Sequence, residues 1–549
     1  MRNIWIFSVF SAPPEHEMRY RTSKMAQEFV KGGDKVTIFA SSAIHNTETN
    51  LIDDKSTSYI VENFSGIDYV FVRCSSYKTN GADRIHSLIE FYFGLRRVIR
   101  HFDAPDCIIA ESPYPTVPHS GIIAARKFNV PCITEIRDLW PESIVSYQGY
   151  SRKSPVIIAL LMLEKWIYTH SSAVVFTMPG GWDYIKDRGW DKRIKRKNIF
   201  HINNGVDLES FDFNKRFEVY PDADLDNPAV FKVVYCGSIR TVNDLKLLVD
   251  AAKLLQERSE IPFHFILFGD GDQKPILEAY CVEQGISNVS FKGFVEKRFI
   301  PSIVTRADAN FISVVASTLG RYGNSWNKLF EYLAAGKPVL SNCKNNYDLI
   351  ETYNLGAVSP TQDSESIAQT VLNVAQQTPQ EREEIGQRAR KLSYEYDFPQ
   401  LAQQLKDIIR VQYGSDDPVS LVSLCVIAYN EEASLHVLLT AIRSQDYPHE
   451  KIEIILVDSA STDATLAMME RFATEESSFK RVTVLNNPRR FLPNGWNVAI
   501  KGSSGDVLLR VDAHAVIPPD FVSKNIATLE AGEDVCGGFR PTALQRSTP

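Results

Sequence analysis

The most informative stretch of this 549-residue sequence is Tyr322-Gly-Asn-Ser-Trp-Asn-Lys-Leu-Phe-Glu-Tyr-Leu-Ala-Ala-Gly-Lys-Pro338. It opens as a polar loop and becomes helical by Asn327, and Gly336 ends the helix before Pro338 begins a strand. Backbone N–H groups at such a helix start can receive phosphate oxygens. Glu331 lies one turn into the helix, where its carboxylate either accepts hydrogen bonds from ribose hydroxyls or is simply an exposed helix carboxylate. The stretch predicts a phosphate-binding helix start beside a buried strand.

Short apolar runs alternate with helical patterns on both sides of this stretch. The alternation is typical of βαβ units, which build parallel sheets covered by helices. It predicts an α/β protein with two successive Rossmann-like lobes, whose ligands bind in a cleft beyond the carboxyl ends of the strands. The predicted strands are Val36–Ala40, Cys107–Ala110, Cys132–Ile136, Ala173–Thr177, Lys232–Cys236, His264–Phe268, Val289–Lys292, Ala309–Val314 and Pro338–Ser341. Predicted helices between them include Ser23–Lys31, His86–His101, Leu245–Glu257 and Asn327–Ala335.

Two polar segments divide the chain. The first begins at Asp212 with the sequence DFNKRFEVYPDADLDNPA, whose prolines and charges predict a linker between two lobes. The second is Tyr413-Gly-Ser-Asp-Asp-Pro418, which interrupts a helical pattern running from Pro399 to Gln412. The predicted parts are a first lobe over residues 1–215, a second lobe over 216–412, a linker over 413–419 and a third α/β domain over 420–549.

Two further loops of the second lobe follow predicted strands. The strand ending at Cys236 is followed by Gly237, Arg240 and Lys246, and the two cations are placed to clamp a diphosphate. The equally weighted alternative is that Arg240 is an ordinary turn residue and Lys246 is a solvated lysine on a helix. The strand ending at Phe268 enters a loop whose glycines let the backbone approach a ligand closely, although such loops also form ordinary turns. The residues of this loop are Gly269, Asp270 and Gly271.

Composition limits the classes of protein to consider. Hydrophobic residues make up 44% and charged residues 23%, which is the balance of a globular protein. The net charge of −7 argues against nucleic acid as a partner. The eight cysteines form no C-x-x-C pair, so the sequence favours a reducing, cytoplasmic location without disulfides. The N-terminus is more typical of a buried strand than of a signal peptide, and no apolar stretch reaches the roughly 18 residues of a membrane span.

Two segments leave a membrane surface open as a partner. The apolar run Pro155–Leu163 is too short to span a bilayer, so it predicts a buried helix or, alternatively, a helix lying on a membrane surface with Trp166 and Tyr168 at the interface. The basic segment Lys186–Lys197 is either a solvated loop or a patch that faces anionic lipid. On the second interpretation the protein is peripheral at the inner face of the cell membrane.

Polar groups follow three predicted strands of the third domain. The strands begin at Leu421, Ile452 and Val507, and the groups at their ends are Asn430, Glu431, Asp458, Asp512 and His514. Such groups at one edge of a sheet suit contacts to a base, a ribose and a metal-bound diphosphate. Asp512 and His514 together are placed to ligate Mg²⁺ or Mn²⁺, whereas each acid alone is more typical of a helix cap.

The stretch from Asn327 is similar to the donor-site signature of glycosyltransferase family 4, which has the two-lobed GT-B fold. It most resembles the branch that builds bacterial surface polysaccharides, in which NKLFEYLAAGKPV recurs. The resemblance covers roughly residues 1–412. Glu331 matches the second of two glutamates that the family carries eight positions apart, and Gly323 stands where the first is found.

Other elements of family 4 are matched along the chain. Arg240 and Lys246 match its diphosphate-binding pair, and Asn203-Asn-Gly-Val-Asp207 is similar to its NGVD element. Glu135-Ile-Arg-Asp-Leu-Trp-Pro-Glu142 resembles its RDLWPE element, which implies that Asp138 lies in the cleft near the transferred sugar or the acceptor hydroxyl; a helix N-cap is the alternative. The resemblance implies catalytic roles for Asp138, Glu331, Arg240 and Lys246. It implies donor contacts by Gly237, Gly269, Asp270, Gly271, Asn324, Ser325, Asn327, Lys328 and Leu329.

The resemblance also implies a function. Family 4 enzymes move a hexosyl or N-acetylhexosaminyl group from a nucleotide-sugar donor, by family habit a UDP-sugar, to a lipid-linked or polysaccharide acceptor in cell-surface polysaccharide biosynthesis. Configuration at the anomeric carbon is retained, and no metal cofactor is expected in the two lobes. A catalytically inactive nucleotide-sugar binding module and a sugar-nucleotide 2-epimerase are the alternatives.

The third domain resembles the N-terminal half of a glycosyltransferase family 2 domain, which has the GT-A fold. The resemblance runs from Val419 to about Gly538, and Asp512-Ala-His514 differs from the usual Asp-x-Asp by one ligand. The family's later half, which builds the acceptor site, is absent from the sequence. We therefore expect this partial GT-A domain to bind nucleotide, with Mg²⁺ or Mn²⁺, without being a competent transferase.

Overall fold

The computed structural model describes residues 2–16, 20–79, 81–412 and 421–530. The chain divides into two compact units, Met1–Gln412 and Tyr413–Pro549. The predicted linker at 413–419 and residues 531–549 of the predicted third domain lie outside the described residues. None of the helices in the described ranges is both long and apolar enough to cross a bilayer.

The first lobe is built on an eight-stranded sheet. Its strands are β1 (Asn3–Phe7), β2 (Lys35–Ser41), β3 (Tyr59–Phe64), β4 (Ile67–Val72), β5 (Cys107–Glu111), β6 (Cys132–Ile136), β7 (Ala173–Phe176) and β8 (Ile199–His201). Its helices are α1 (Arg21–Lys31), α2 (Ala82–Val98), α3 (Thr116–Phe128), α4 (Glu142–Gln148), α5 (Pro155–His170) and α6 (Gly181–Asp187). The strand order is β3-β4-β2-β1-β5-β6-β7-β8.

Neighbouring strands of this sheet run parallel, except that β3 pairs antiparallel with β4. Helices cover both faces of the parallel part, so strands such as β1 and β5 are apolar along almost their whole length. The predicted strands Val36–Ala40, Cys107–Ala110, Cys132–Ile136 and Ala173–Thr177 are confirmed, with ends that shift by one residue at most. The edge strand β3 is largely exposed and lacks such an apolar run, which is why the sequence did not predict it.

The second lobe has an entirely parallel six-stranded sheet in the order β11-β10-β9-β12-β13-β14. Its strands are β9 (Phe231–Cys236), β10 (Phe263–Phe268), β11 (Val289–Gly293), β12 (Ala309–Ile312), β13 (Val339–Ser341) and β14 (Gly356–Val358). Helix α7 (Leu208–Phe217) precedes the sheet. The later helices are α8 (Leu245–Arg258), α9 (Lys274–Glu283), α10 (Ile300–Thr305), α11 (Asn327–Ala335), α12 (Leu349–Thr352), α13 (Ser364–Ala375), α14 (Pro379–Ser393) and α15 (Phe398–Gln412).

The segment between the lobes differs from its prediction. The predicted linker begins at Asp212, and the predicted boundary falls at residues 215–216, but both positions lie inside α7. The Asp207 carboxylate accepts a hydrogen bond from the Ser210 N–H and caps the start of this helix. Leu208 and Phe211 are buried in the core of the second lobe, so α7 belongs to that lobe and the irregular linker starts after it.

The last helix of the first unit, α15, also differs from the predicted division. The sequence places it in the second lobe, over residues 216–412, but the helix packs against α1 of the first lobe. Leu401, Leu405 and Ile409 are buried there in one core with Phe29, and Lys406 Nζ donates to the Glu28 carbonyl at 2.7 Å. Burial of its apolar stripe fixes α15 on the first lobe.

The second unit contains a parallel four-stranded sheet in the order β17-β16-β15-β18. Its strands are β15 (Val422–Ala428), β16 (Ile452–Asp458), β17 (Arg481–Asn486) and β18 (Val507–Asp512). Its helices are α16 (Leu435–Arg443), α17 (Thr465–Glu475), α18 (Leu492–Gly502) and α19 (Phe521–Glu530). The three predicted strands of this domain are confirmed as β15, β16 and β18, and their carboxyl ends meet at one edge of the sheet.

Candidate functional site

A cleft of about 620 Å³ in the first unit is lined by residues from both lobes. Asp138 lines it from the loop after β6, and its side chain is exposed to the cleft. Ser325, Asn327 and Glu331 line it from the loop and first turn of α11. Four of the predicted site residues are therefore brought together at the carboxyl ends of two parallel sheets, where ligands bind in folds of this kind.

Glu331 forms an ion pair with Lys297, a residue that the sequence analysis did not identify. The Lys297 ammonium also lies over the ring of Tyr20, 5.0 Å from its centre. Tyr20 immediately precedes α1 in the first lobe, whereas Lys297 and Glu331 belong to the second. Lys297 thus connects the predicted ribose-binding carboxylate to the opposite wall of the cleft.

Ser325 is held by the segment that leaves the first lobe. Its hydroxyl donates to Asn203 Oδ1 and accepts from the Asn204 N–H at 2.8 Å. The Asn204 side-chain amide donates to the Ser325 carbonyl at 2.7 Å. The loop before α11 is therefore fixed by backbone and side-chain bonds from both asparagines of the Asn203–Asp207 segment.

Lys328 places its ammonium group at the end of β9. Its Nζ lies 3.1 Å from the Tyr235 hydroxyl and 4.3 Å from the centre of that ring. A Cβ built on Gly237 would lie 2.7 Å from the same nitrogen, so a side chain at position 237 would displace the amine. Burial lowers the pKa of Lys328 to about 8. A partly buried amine beside the first turn of α11 suits an anionic ligand.

The other predicted diphosphate cations lie elsewhere. Arg240 is exposed, and its Cγ lies against Gly271 in the loop after β10. Lys246 pairs with Asp250 at 2.7 Å, and its Nζ lies over the Tyr280 ring of α9 at 4.4 Å from the centre. In this structure the first turn of α8, which begins at Leu245, directs Lys246 toward α9, and a role for Lys246 in holding the diphosphate stays a prediction.

A buried asparagine occupies the turn between these two cations. Asn243 is 9% exposed, and its side-chain amide donates to the Tyr235 hydroxyl at 2.8 Å. The Tyr235 hydroxyl in turn donates to the Ser238 carbonyl at 2.8 Å. These bonds hold Tyr235 beneath Lys328. Spacing gave no signal for Asn243, since an asparagine in a turn is ordinary.

The remaining predicted donor contacts are loop residues with one exception. Backbones approach closely in the loop after β10, where a Cβ on Gly269 would lie 1.8 Å from the Gly237 carbonyl oxygen. Asp270 is exposed there, and its carboxylate accepts from the Gly271 N–H. Asn324 is partly buried in the loop before α11. The exception is Leu329, whose side chain is 4% exposed and lies in the core of the second lobe, and its donor contact stays a prediction.

Gly323 has a structural reason to lack a side chain. Its φ of +77° lies in the left-handed region, and a Cβ there would meet Pro179 Cδ at 2.9 Å. A glutamate at this position would need both a different backbone and more space. The absence of the first family glutamate therefore agrees with the local packing of the loop.

Below Asp138 lies a buried network of charges that the sequence analysis did not assemble. Glu135 pairs with Arg21 at 3.0 Å and with Arg137 at 2.7 Å. Arg137 also pairs with Glu111 at 2.7 Å, and the Thr22 hydroxyl donates to the same carboxylate at 2.9 Å. The four charged side chains come from the ends of β5 and β6 and the start of α1, and only tertiary structure brings them together.

Burial opposes the charge on both carboxylates of this network. For Glu135 the two arginines outweigh burial and hold its pKa at about 2. The pKa of Glu111 is raised, because burial outweighs the attraction of Arg137 and the negative charge of Glu135 lies close by. The network also fixes the backbone before Asp138, because the Arg137 N–H donates to the Ser112 hydroxyl at 2.8 Å.

In the second unit the predicted nucleotide-binding residues cluster at the strand ends. Asn430 Oδ1 accepts from the Thr462 N–H at 2.8 Å, and Asp458 accepts from the Ser461 N–H. Glu431 contacts His514 Nδ1 at 3.1 Å. The Asp512 carboxylate contacts Arg510 at 3.3 Å.

The metal site predicted at Asp512 and His514 is incomplete in the described part of this unit. Within the described residues, no three His, Cys, Asp or Glu side chains are grouped so that they could hold a metal ion. His514 is directed to Glu431 and Asp512 to Arg510. Mg²⁺ is usually held by one or two protein carboxylates together with substrate phosphates and water, so a divalent cation at Asp512 and His514 stays a prediction.

Three family models match the chain. Residues 20–210 match Glycosyltransferase Family 4, residues 230–377 match Glycosyl transferases group 1, and residues 423–547 match Glycosyl transferase family 2. The first two matches fall on the two lobes of the first unit, and the third falls on the second unit. The order of families that the sequence motifs indicated is confirmed.

Curated relatives share local identity with the chain. A dolichyl N-acetyl-alpha-D-glucosaminyl phosphate 3-beta-D-2,3-diacetamido-2,3-dideoxy-beta-D-glucuronosyltransferase of Methanococcus voltae is 30% identical over 112 residues, 20% of this chain and 35% of that protein. An undecaprenyl-phosphate 4-deoxy-4-formamido-L-arabinose transferase of Proteus mirabilis is 33% identical over 128 residues, 23% and 38% respectively. The succinoglycan biosynthesis protein ExoA of Rhizobium meliloti is 33% identical over 125 residues, 22% and 37%. The chain spans little more than a third of these relatives.

Solved structures share the fold of the two lobes. Sucrose-phosphate synthase from Thermosynechococcus elongatus superposes with a TM-score of 0.57 at 17% identity, over 76% of this chain and 100% of that one. Anabaena Alr3699/HepE in complex with UDP gives 0.53 at 15%, over 75% and 100%. WaaG, a glycosyltransferase involved in lipopolysaccharide biosynthesis, gives 0.51 at 14%, over 74% and 99%. At these identities the likeness establishes the two-lobed GT-B fold.

Proposed function

The chain carries a family 4 glycosyltransferase region followed by a glycosyltransferase family 2 domain, and from this we propose that its first unit, residues 1–412, transfers a sugar from a nucleotide-sugar donor. The proposed acceptor is a lipid-linked or polysaccharide hydroxyl in cell-surface polysaccharide biosynthesis. The relatives named for undecaprenyl-phosphate and succinoglycan, matched over 128 and 125 residues, support this class of acceptor for the chain as a whole. UDP is the proposed nucleotide, supported by the UDP complex of Alr3699/HepE.

The observation that carries the proposal is the position of Glu331 in the lining of the cleft between the lobes, with Lys328 three residues before it on α11. When the bond between the sugar and the diphosphate breaks, negative charge develops on the diphosphate. Loop N–H groups at the start of α11 and the Lys328 ammonium are placed to stabilise that charge. Glu331 would accept hydrogen bonds from the ribose, with Lys297 orienting its carboxylate.

Asp138 lies across the cleft and is proposed to contact the acceptor hydroxyl or the transferred sugar. A new bond forms between the acceptor oxygen and the anomeric carbon, the bond from that carbon to the diphosphate breaks, and the hydroxyl proton passes to an oxygen of the departing diphosphate. The network beneath Asp138 acts as its support, because Arg137 is fixed by two carboxylates and Ser112. Retention of configuration is proposed from the family alone.

For the second unit we propose nucleotide binding at the ends of β15, β16 and β18. Asn430, Glu431, Asp458 and Asp512 are the proposed contacts. A divalent cation at Asp512 and His514 remains a prediction, and no step is assigned to it.

Release of nucleoside diphosphate by the full chain tests the main proposal. UDP-, GDP- and ADP-sugars are each incubated with and without a membrane extract as acceptor source. We expect release from one donor and a strong loss of that release in Glu331→Gln. The matched control is Glu257→Gln, which should release nucleoside diphosphate as the wild type does. Glu257 lies on the surface of α8, where its carboxylate is 3.9 Å from Lys253 Nζ. Donor binding without release would instead favour the inactive binding module, and a free epimer formed without acceptor would favour the epimerase.

A further inference from the structure

Helix α5 exposes apolar side chains over its first two turns, and Ile158 and Met162, four residues apart, share one side of it. Its first nine residues are Pro-Val-Ile-Ile-Ala-Leu-Leu-Met-Leu, and Val156, Ile158 and Met162 are 66%, 45% and 68% exposed. Isolated exposed apolar residues are ordinary, but a run of large ones on one helix marks an interaction surface. The sequence left open whether this helix is buried or lies on a membrane, and the structure leaves much of it uncovered.

The opposite side of α5 is fixed to the first lobe. Glu164 is buried and accepts hydrogen bonds from the hydroxyls of Tyr168 and Tyr184, each at 2.8 Å. Ile157 and Ile167 are buried at 2% exposure each. The exposed apolar side is therefore presented by a helix that is anchored along its length.

Basic residues border the same helix. Trp190 contacts the Tyr168 ring of α5, with 6.0 Å between ring centres, and begins a turn rich in cations. At the other end, Glu142 pairs with both Arg152, just before α5, and Arg188, just before this turn. The exposed cations of the turn are Lys192, Arg193, Lys195, Arg196 and Lys197.

We propose that the exposed side of α5 and the cationic turn at residues 192–197 together form a docking surface for an anionic lipid bilayer. Apolar side chains that project from an anchored helix enter the headgroup region, and the neighbouring cations meet lipid phosphates. Charge complementarity favours an anionic membrane over a neutral one, because the turn carries five exposed cations and the acid beside it, Asp191, is a single opposing charge within residues 191–197. This proposal rests on the proposed function in one respect, which is that the surface would bring the cleft of the first unit to a lipid-linked acceptor.

Flotation of the full chain with lipid vesicles tests the surface. Vesicles of phosphatidylcholine alone are compared with vesicles that also contain phosphatidylglycerol. We expect the protein to float with the anionic vesicles at low salt, and at least tenfold less protein to float with the neutral ones. One variant combines Val156→Ser, Ile158→Ser and Met162→Ser, and a second combines Lys192→Gln, Arg193→Gln, Lys195→Gln and Arg196→Gln.

Both variants should lose most of the flotation, whereas matched controls should keep it. The apolar control is Val282→Ser, which changes an 84%-exposed residue on α9, and the charge control is Lys391→Gln on α14. Flotation that is absent from the wild type, equal on neutral vesicles, or unchanged in the two variants would overturn the proposal. Binding of UDP measured on the same variants separates this result from the proposed function, since the cleft residues are intact.

Discussion

Lys328 supplies the amine at the end of β9, where the sequence analysis expected Lys246 to help hold a diphosphate. Replacing Lys328 with Met keeps the length of the side chain and removes its charge. A hydrogen bond to a charged group contributes about 1.5–3 kcal/mol, so we expect donor affinity to fall by about 10- to 100-fold. Titration calorimetry with the nucleoside diphosphate measures this loss. Lys246→Met is the matched comparison, and the pairing of Lys246 with Asp250 predicts a change in affinity of less than about threefold.

The pH dependence of donor binding provides a separate check on the same amine. Burial lowers the pKa of Lys328 to about 8, and the nearby Glu331 and Cys236 favour its charged form only in part. A bound diphosphate raises that pKa, so binding should take up protons near pH 8 and weaken as pH rises further. Calorimetry at pH 8 in two buffers of different ionisation enthalpy measures the uptake. Equal heats in the two buffers would contradict a titrating Lys328, and Lys328→Arg should abolish the uptake.

Sequence spacing located the loops of the site but not the direction of its side chains. Glu331 and Ser325 were predicted because they lie at a helix start that follows a recognisable motif. Helix α8 begins at Leu245 as predicted, yet Lys246 is directed toward α9, because spacing along the chain does not show which neighbouring helix a side chain faces. Glu111 and Arg21 gave no signal, since 90 residues separate them and only the sheet brings their side chains into one network.

Helix α15 shows the same distinction for a whole element. Its amphipathic pattern predicted a helix and its buried stripe, but a stripe does not identify the surface that covers it. Leu405 is 2% exposed and packs on the first lobe. Leu405→Ala should lower the free energy of unfolding by about 2–5 kcal/mol, through lost burial and the cavity left behind.

Urea unfolding of the first unit measures this change. Gln403→Ala, on the exposed side of α15, is the control and should stay within about 0.5 kcal/mol of the wild type. Equal stability of the two variants would contradict the docking of α15 on the first lobe.

Buried parallel strands were the easier elements to predict, since each is a short apolar run between helices, whereas the exposed edge strand β3 has no such pattern.

The division of the whole molecule into two units predicts independent folding. Each unit has its own sheets and its own buried cores. A chain ending at Gln412 should therefore unfold at the same temperature as the first unit does within the full chain. It should also bind donor with the same affinity as the full chain. Differential scanning calorimetry and donor titration measure both. A truncated chain that is unfolded, or that binds donor more than tenfold more weakly, would contradict the division.

The chain passes between the two lobes twice, and the two passages lie side by side. The Val206 N–H donates to the Tyr396 carbonyl at 3.0 Å, and the Phe398 N–H donates to the Val206 carbonyl at 3.2 Å. A Cβ on Gly205 would lie 2.3 Å from that same Tyr396 oxygen, so the two backbones are in direct contact. We expect paired passages of this kind to act as a hinge, so that rotation of the lobes about them would change the width of the cleft while both cores stay packed. Closure of the cleft would then depend on a short ladder of backbone bonds whose residues Gly205, Val206 and Phe398 themselves line that cleft.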